Sequence, residues 1–383
     1  MKQPPLSLYV HLPWCVRKCP YCDFNSHTAG DAAPKDRYLK ALLADLELES
    51  TRANSRTLES IFIGGGTPSL FSPDEIGRLL DGVTTRFAVA DDAEITMEAN
   101  PGTVECGEPA GYRQAGVNRL SIGAQSFDDK QLKTLGRIHD SADISRAVRE
   151  AHVGGFENIN IDLMHGLPGQ SIDGALADLD AAAGLRPTHI SWYQLTLEPN
   201  TVFYARPPAG LPDDDLAFEI EQRGRSLLSA RGYEQYEISA YARDGYRCRH
   251  NLNYWMFGDY LAVGAGAHGK LTEGGTICRY RKPANPVQYM KDVESGASLT
   301  RPTVITGPDI VFEFMLNALR LRDGFAESTF CAHTGLTAAE LYAASSGARE
   351  RGLIARDANA VWRPTDLGGR FLNDLQAEFL GVC

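Results

Sequence analysis

Ser7-Leu-Tyr-Val-His-Leu-Pro-Trp-Cys-Val-Arg-Lys-Cys-Pro-Tyr-Cys-Asp-Phe24 runs from a short apolar strand into a loop that carries Cys15, Cys19 and Cys22. Spacings of four and then three residues, interrupted by Pro20, put three thiols on one loop, an arrangement suited to gripping a metal centre. Four-iron clusters normally take four protein cysteines, so a three-cysteine loop leaves one iron free for a ligand that is not protein. Two other readings stay open. Zinc could use the same thiols with His27 as the fourth ligand of a Cys₃His set, or the cysteines could be unligated core residues.

Outward from this loop, short β-branched and apolar runs alternate with segments of helical period, the mark of a parallel sheet with crossover helices. Six runs are predicted as strands: Ser7 to His11, Ser60 to Ile63, Glu94 to Glu98, Arg119 to Ile122, Asn158 to Met164 and His189 to Thr196. Helices are predicted over Lys35 to Ala53, Pro73 to Phe87, Ser141 to Val153, Gly174 to Gly184 and Asp213 to Ala230. Each strand ends in polar, Gly- or Pro-containing sequence, and barrel enzymes of the β/α type place their sites at that edge. Six units imply an open, partial (β/α)6 barrel over residues 1–232, with a doubly wound sheet as the alternative.

Residues 233–297 read as an aromatic-rich extension that includes His250-Asn-Leu-Asn-Tyr254 and the glycine-rich Val263 to Gly269. Residues 298–383 read as a separate module of helix, helix, two-strand wing and helix, similar to a winged helix. Helices are expected over Asp309 to Leu321, Thr337 to Arg351 and Thr365 to Leu380, and strands near Leu353 to Ala355 and Ala360 to Arg363.

The 383 residues carry a formal charge of -11, which argues against nucleic acid as a partner, since phosphate contact needs concentrated Lys and Arg. Beyond the three clustered cysteines, Cys106, Cys248, Cys278, Cys331 and Cys383 are scattered, unlike a secreted disulfide framework. No apolar signal core and no run long enough to span a bilayer are found, so a soluble cytoplasmic protein is expected.

Polar residues at or just beyond successive strand ends, Glu98, Gln125, Arg137 and Asp162, could hydrogen-bond an amine, a ribose and a carboxylate. Gly64-Gly65-Gly66 lets backbone approach a ligand closely, or simply makes a tight turn. His250 and Tyr254 are residue types that ligate haem iron, and Tyr246, Trp255 and Phe257 nearby could face a flat macrocycle.

Together these motifs resemble the radical S-adenosylmethionine superfamily. Tyr9-Val-His-Leu-Pro13, Gly64-Gly-Gly-Thr-Pro-Ser69, Ser121-Ile-Gly-Ala-Gln-Ser-Phe127 and Asn160-Ile-Asp-Leu-Met-His-Gly-Leu-Pro168 are similar to the group of anaerobic coproporphyrinogen III oxidase and its haem-chaperone relatives. The resemblance implies a 4Fe-4S cluster on Cys15, Cys19 and Cys22, with S-adenosylmethionine on the open iron contacted by Tyr9, Gly65 and Glu98. Tyr21, Gly66, Thr67, Gln125, Arg137 and Asp162 match positions lining a second S-adenosylmethionine site in the oxidase. Phe24 stands where the oxidase has a further cysteine, and the first strand begins without the oxidase's N-terminal extension. His250-Asn-x-x-Tyr254, in contrast, matches the haem-binding motif of the chaperone subgroup. The resemblance therefore implies a haem chaperone that binds haem with His250 as candidate axial ligand and passes it to haem-requiring, respiratory acceptors, with transient contact at membranes. The alternative it carries is an oxidase, in which a 5′-deoxyadenosyl radical takes hydrogen from the propionates of coproporphyrinogen III.

Overall fold

The computed structural model describes residues 2–29, 33–104 and 109–380; Cys106 and Cys383 lie outside them. Six parallel strands follow one another in chain order: β1 (Leu6–Leu12), β2 (Leu58–Gly65), β3 (Val89–Ala99), β4 (Arg119–Gln125), β5 (Asn158–His165) and β6 (His189–Gln194). They contain the six runs read from the sequence, except that β6 stops two residues short of Thr196. β3 begins at Val89, earlier than its alternating pattern suggests.

Helices α1 (Lys35–Ala53), α2 (Pro73–Arg86), α3 (Ser141–Val153), α4 (Ile172–Gly184) and α5 (Asp214–Ala230) pack on one face of the sheet. Local chemistry fixes their starts. Ser72 and Glu75 form a capping box ahead of Pro73, and Asp140 and Asp143 form another ahead of Ser141. Side chains alternate across a strand, so Leu8, Val10, Ile61, Ile63, Ile122, Ile161 and Ile190 enter the helix-covered core. The intervening residues face inward, and most are polar.

After α5 the chain adds strands to both edges of the same sheet. β7 (Glu234–Glu237) and β8 (Ala240–Ala242) extend it beyond β6. A seven-residue helix, α6 (Arg249–Trp255), then leads to β9 (Asp259–Val263), which pairs in parallel with the outer edge of β1. β10 (His268–Glu273), β11 (Thr276–Arg281) and β12 (Thr303–Ile305) follow antiparallel. The full order is β12-β11-β10-β9-β1-β2-β3-β4-β5-β6-β8-β7, an open sheet whose ends do not meet. The sequence count of six parallel strands thus gains a seventh, β9, whose five residues are buried throughout.

The C-terminal module has its own core around Phe314, Phe330, Leu341, Trp362 and Leu375, which also takes in Phe257 and Ile277 from the sheet portion. Its helices are shorter than the sequence pattern suggests. Thr337 to Arg351 divides at Ser345, the final helical stretch divides at Phe371, and an additional helix spans Glu327–Thr334. Phe325–Ala326 adds a third strand to the two-stranded wing. No helix among the described residues is long and apolar enough to cross a membrane.

Candidate cluster and ligand site

The cysteine loop is tied to the C-terminal ends of the strands by backbone bonds. Gly66 N–H donates to Leu12 O, Thr67 N–H to Trp14 O, and Phe203 N–H to Pro20 O. Glycine is required at Gly65 and Gly66, the end of β2. A Cβ on Gly66 would stand 2.5 Å from Trp14 O, and one on Gly65, whose φ is +117°, would stand 2.5 Å from the His11 ring.

Cys15, Cys19 and Cys22 are all half-buried. Ser26 Oγ lies 3.9 Å from Cys22 Sγ, and Arg137 Nη1 donates to Cys19 Sγ at 3.7 Å. Burial pushes the Cys15 and Cys22 thiols up from their ordinary range, so a cationic centre is what would hold them as thiolates. Among the described residues no three His, Cys, Asp or Glu side chains come close enough to share a single metal ion. In a 4Fe-4S cluster each thiolate binds a different iron, so its sulfurs need no common point, and a half-buried loop with three thiols suits that group.

Beside the loop, His11 links the strand to the chain that follows. Its Nε2–H donates to Asn25 O at 2.9 Å, which leaves Nδ1 to accept from the Tyr9 hydroxyl at 2.9 Å. Asn25 in turn donates to Ala265 O and Ala284 O, so the glycine-rich stretch after β9 seals the loop from the side. Gly65 N–H donates to Glu98 Oε2 at 3.0 Å. Burial, with Asp162 adding to it, pushes Glu98 up to about 7. A ligand amino group here would restore its charge, which fits the role expected of Tyr9, Gly65 and Glu98.

The remaining mouth residues are held by partners of their own. Gln125 adopts φ +74° at a β-bulge and accepts from Tyr193 O–H at 2.7 Å. Asp162 accepts from Ser121 and Asn160, and burial raises its carboxyl above the usual range. Arg137 Nη2 donates to Gly123 O at 2.7 Å, and its charge lies close to Tyr21. Thr67 and Arg137 line a narrow cavity with Cys19, Asn100 and Ile138.

His250 and Tyr254 are not part of this mouth. They stand on α6, which closes the opposite end of the inner face, where His250 Nδ1 meets Ser60 Oγ at 3.0 Å. Ser60 and Gly65 are five residues apart on β2, about 16 Å along a strand. Rings connect the two ends: Tyr9 lies 6.3 Å from Phe62, Phe62 lies 5.1 Å from His250, and Tyr254 lies 5.1 Å beyond.

Ser60 donates to Ser7 Oγ at 2.8 Å, and Asn253 also donates to that oxygen at 2.9 Å. Ser60 therefore accepts from His250 Nδ1–H, and Nε2 keeps its lone pair. Nε2 is buried and has no partner. Burial lowers the ring to about 3, so it stays neutral at physiological pH.

Sequence reasoning missed His11, Asn25, Ser60 and Glu94. The signal was present in the inward strand positions: Ser7-x-Tyr9-x-His11, Ser60-x-Phe62-x-Gly64, Glu94-x-Thr96-x-Glu98 and Arg119-x-Ser121-x-Gly123 form a largely polar lining at period two.

Comparison with known proteins agrees with this architecture. The model of the radical SAM superfamily matches residues 9–182, and that of the HemN C-terminal domain matches residues 305–371. The chain is 50% identical over 381 residues to the heme chaperone HemW of Escherichia coli (strain K12), covering 99% of each chain. It is 48% identical over 384 residues to the heme chaperone HemW of Haemophilus influenzae, again covering 99% of each. Among solved structures, coproporphyrinogen III oxidase (HemN) from E. coli superimposes with a TM-score of 0.82 and 24% identity, over 98% of this chain and 90% of that one. That likeness is one of fold. Cysteine loop, glycine strand end, open sheet and full-length identity converge: the chain belongs to the HemW family of the radical SAM superfamily.

Proposed function

We propose that this protein binds haem and passes it to haem-requiring acceptors, respiratory proteins among them, within the cytoplasm. His250 supplies the axial nitrogen, with Tyr254 packed beside it. Cys15, Cys19 and Cys22 hold a 4Fe-4S cluster, and Tyr9, Gly65 and Glu98 hold S-adenosylmethionine on it. Tyr21, Gly66, Thr67, Gln125, Arg137 and Asp162 form the wall of the same mouth.

The observation that carries this reading is the His250 imidazole, neutral and hydrogen-bonded through Nδ1, with Nε2 buried and unpartnered. A neutral histidine with its proton on Nδ1 keeps on Nε2 the lone pair that a metal takes, and in the haem-free chain Ser60 holds that tautomer. The full-length identity to heme chaperones supports the cargo.

Transfer tests it. Haem-loaded protein mixed with a haem-free b-type cytochrome should convert the acceptor to its holo spectrum faster than an equal concentration of free haem does. Conversion no faster than with free haem would overturn the chaperone reading.

A further inference from the structure

Haem ligation through His250 raises a steric question. The side chain is 2% exposed, and its ring lies between Phe62 and Tyr254 with both ring centres 5.1 Å away, which leaves no room for a macrocycle. The surroundings of α6 show what would have to yield.

The register of β1, β2 and β3 sets Ser7, Ser60 and Glu94 at one level on the inner face. All three direct their polar groups at α6. Glu94 Oε1 accepts from His250 N–H at 3.1 Å and from Cys248 Sγ at 3.4 Å, and Oε2 accepts from Arg249 N–H at 3.0 Å. Ser60 takes the His250 ring and Ser7 takes Asn253. Cys248, the residue at the N-cap, provides no side-chain cap of its own, so a carboxylate on a neighbouring strand caps this helix. Seven residues are too few to sustain a helix without such contacts. Beyond these strand residues, α6 is held by the exposed Arg249–Asp92 pair, a class of contact that contributes little, by Asn253 donating to Asp259 O at 2.8 Å, and by Tyr254 against Tyr260 and Arg320 over Trp255, with ring contacts at 4.1 and 4.3 Å.

We propose that α6 is a latched floor. Glu94, with Ser60 and Ser7, stores the coordinating nitrogen of His250 inside the sheet, and haem loading requires α6 to leave this layer. Glu94 is then a positioning residue that sets how often the ligand is available. This rests on the haem-chaperone reading. A ligand that binds only a minor open state has its apparent affinity reduced by the open fraction, so weakening the latch speeds loading.

The test is stopped-flow mixing of haem with cluster-loaded protein under anaerobic conditions, followed through the Soret band, for wild type, Glu94→Gln, Ser60→Ala and His250→Ala. The latch variants should load about tenfold faster than wild type, consistent with loss of hydrogen bonds to a charged group. Their final spectrum should match the wild type, since His250 remains the ligand. Wild-type binding through His250 at a rate the latch variants share would overturn the latch and leave the chaperone reading standing. Absence of wild-type binding would remove both. Hydrogen exchange on the wild type alone gives a second measure: amides of 248–256 should lose protection when haem is added, and unchanged protection in a loaded sample would overturn the proposal even if the variants fail to fold.

Discussion

His250 Nδ1 lies 3.0 Å from Ser60 Oγ, and because Ser60 gives its own proton to Ser7, that contact fixes which ring nitrogen keeps the lone pair. Proton-coupled nitrogen NMR of the haem-free protein should find the proton on Nδ1 and none on Nε2. Ser60→Ala should mix the two tautomers. A wild-type ring protonated on Nε2 would contradict the hydrogen-bond direction on which the ligand assignment stands.

Seven histidines among the described residues are held below their ordinary range chiefly by burial, among them His11, His139 and His165, to about 4, and His250, to about 3. The unfolded chain takes up their protons near pH 6.5 and the folded chain does not, so stability is complete above that pH and falls as pH drops toward 4. At pH 5.5 each of these four named groups costs about 1.4 kcal/mol. Urea unfolding should therefore give a clearly lower midpoint at pH 5.5 than at pH 7.5, and His250→Gln should reduce the difference. Glu98, pushed up to about 7, binds its proton in the folded chain over the same interval and offsets part of the loss, so a pH difference unchanged by His250→Gln would contradict the burial of that ring.

Much of this was legible in the sequence, and for physical reasons. A strand buried between helices on one face and a polar lumen on the other shows both a β-rich run and a functional end, so the first six strands and the cysteine loop could be read directly. β9 could not. Its five residues, Asp259 to Val263, sit among aromatic, irregular sequence, and only the unfilled edge of β1 makes a strand of them. The glycines around Ala265 read only as a glycine-rich part of the extension, yet a Cβ on Gly264 would stand 2.4 Å from His11 O, so Gly264 is a packing position. Ser7, Ser60 and Glu94 escaped notice because each stands at the start of a predicted strand, where a polar residue is ordinary; their meaning depends on a register between strands about fifty and thirty-five residues apart in sequence.

The segment after α5 is fixed to the first helix by buried charge. Lys282, 1% exposed in its side chain, donates to Asp45 at 2.6 Å and Glu49 at 2.7 Å, both themselves buried on α1. Lys282→Met strands two carboxylates without their cation and should cost about 3–5 kcal/mol in urea unfolding. Adding Asp45→Asn and Glu49→Gln should recover part of that loss. Full stability in the single variant would mean the three charges are not coupled.

The cluster assignment makes a residue-specific claim. Cys15→Ser, Cys19→Ser or Cys22→Ser should each abolish bound iron and sulfide after anaerobic reconstitution. Cys278→Ser, on β11, and Cys331→Ser, on the helix Glu327–Thr334 of the C-terminal module, should retain both. Zinc in place of iron, or iron retained without one of the three loop cysteines, would contradict the assignment.

The central claim is that this chain carries haem through His250. The most direct measurement is an anaerobic equilibrium titration of cluster-loaded protein with haem, read at the Soret band, for wild type beside His250→Ala. The account predicts saturable binding in the wild type, and in the variant an affinity at least about tenfold lower together with a shifted Soret band, since the axial nitrogen is gone. Identical curves and spectra for the two proteins would contradict it.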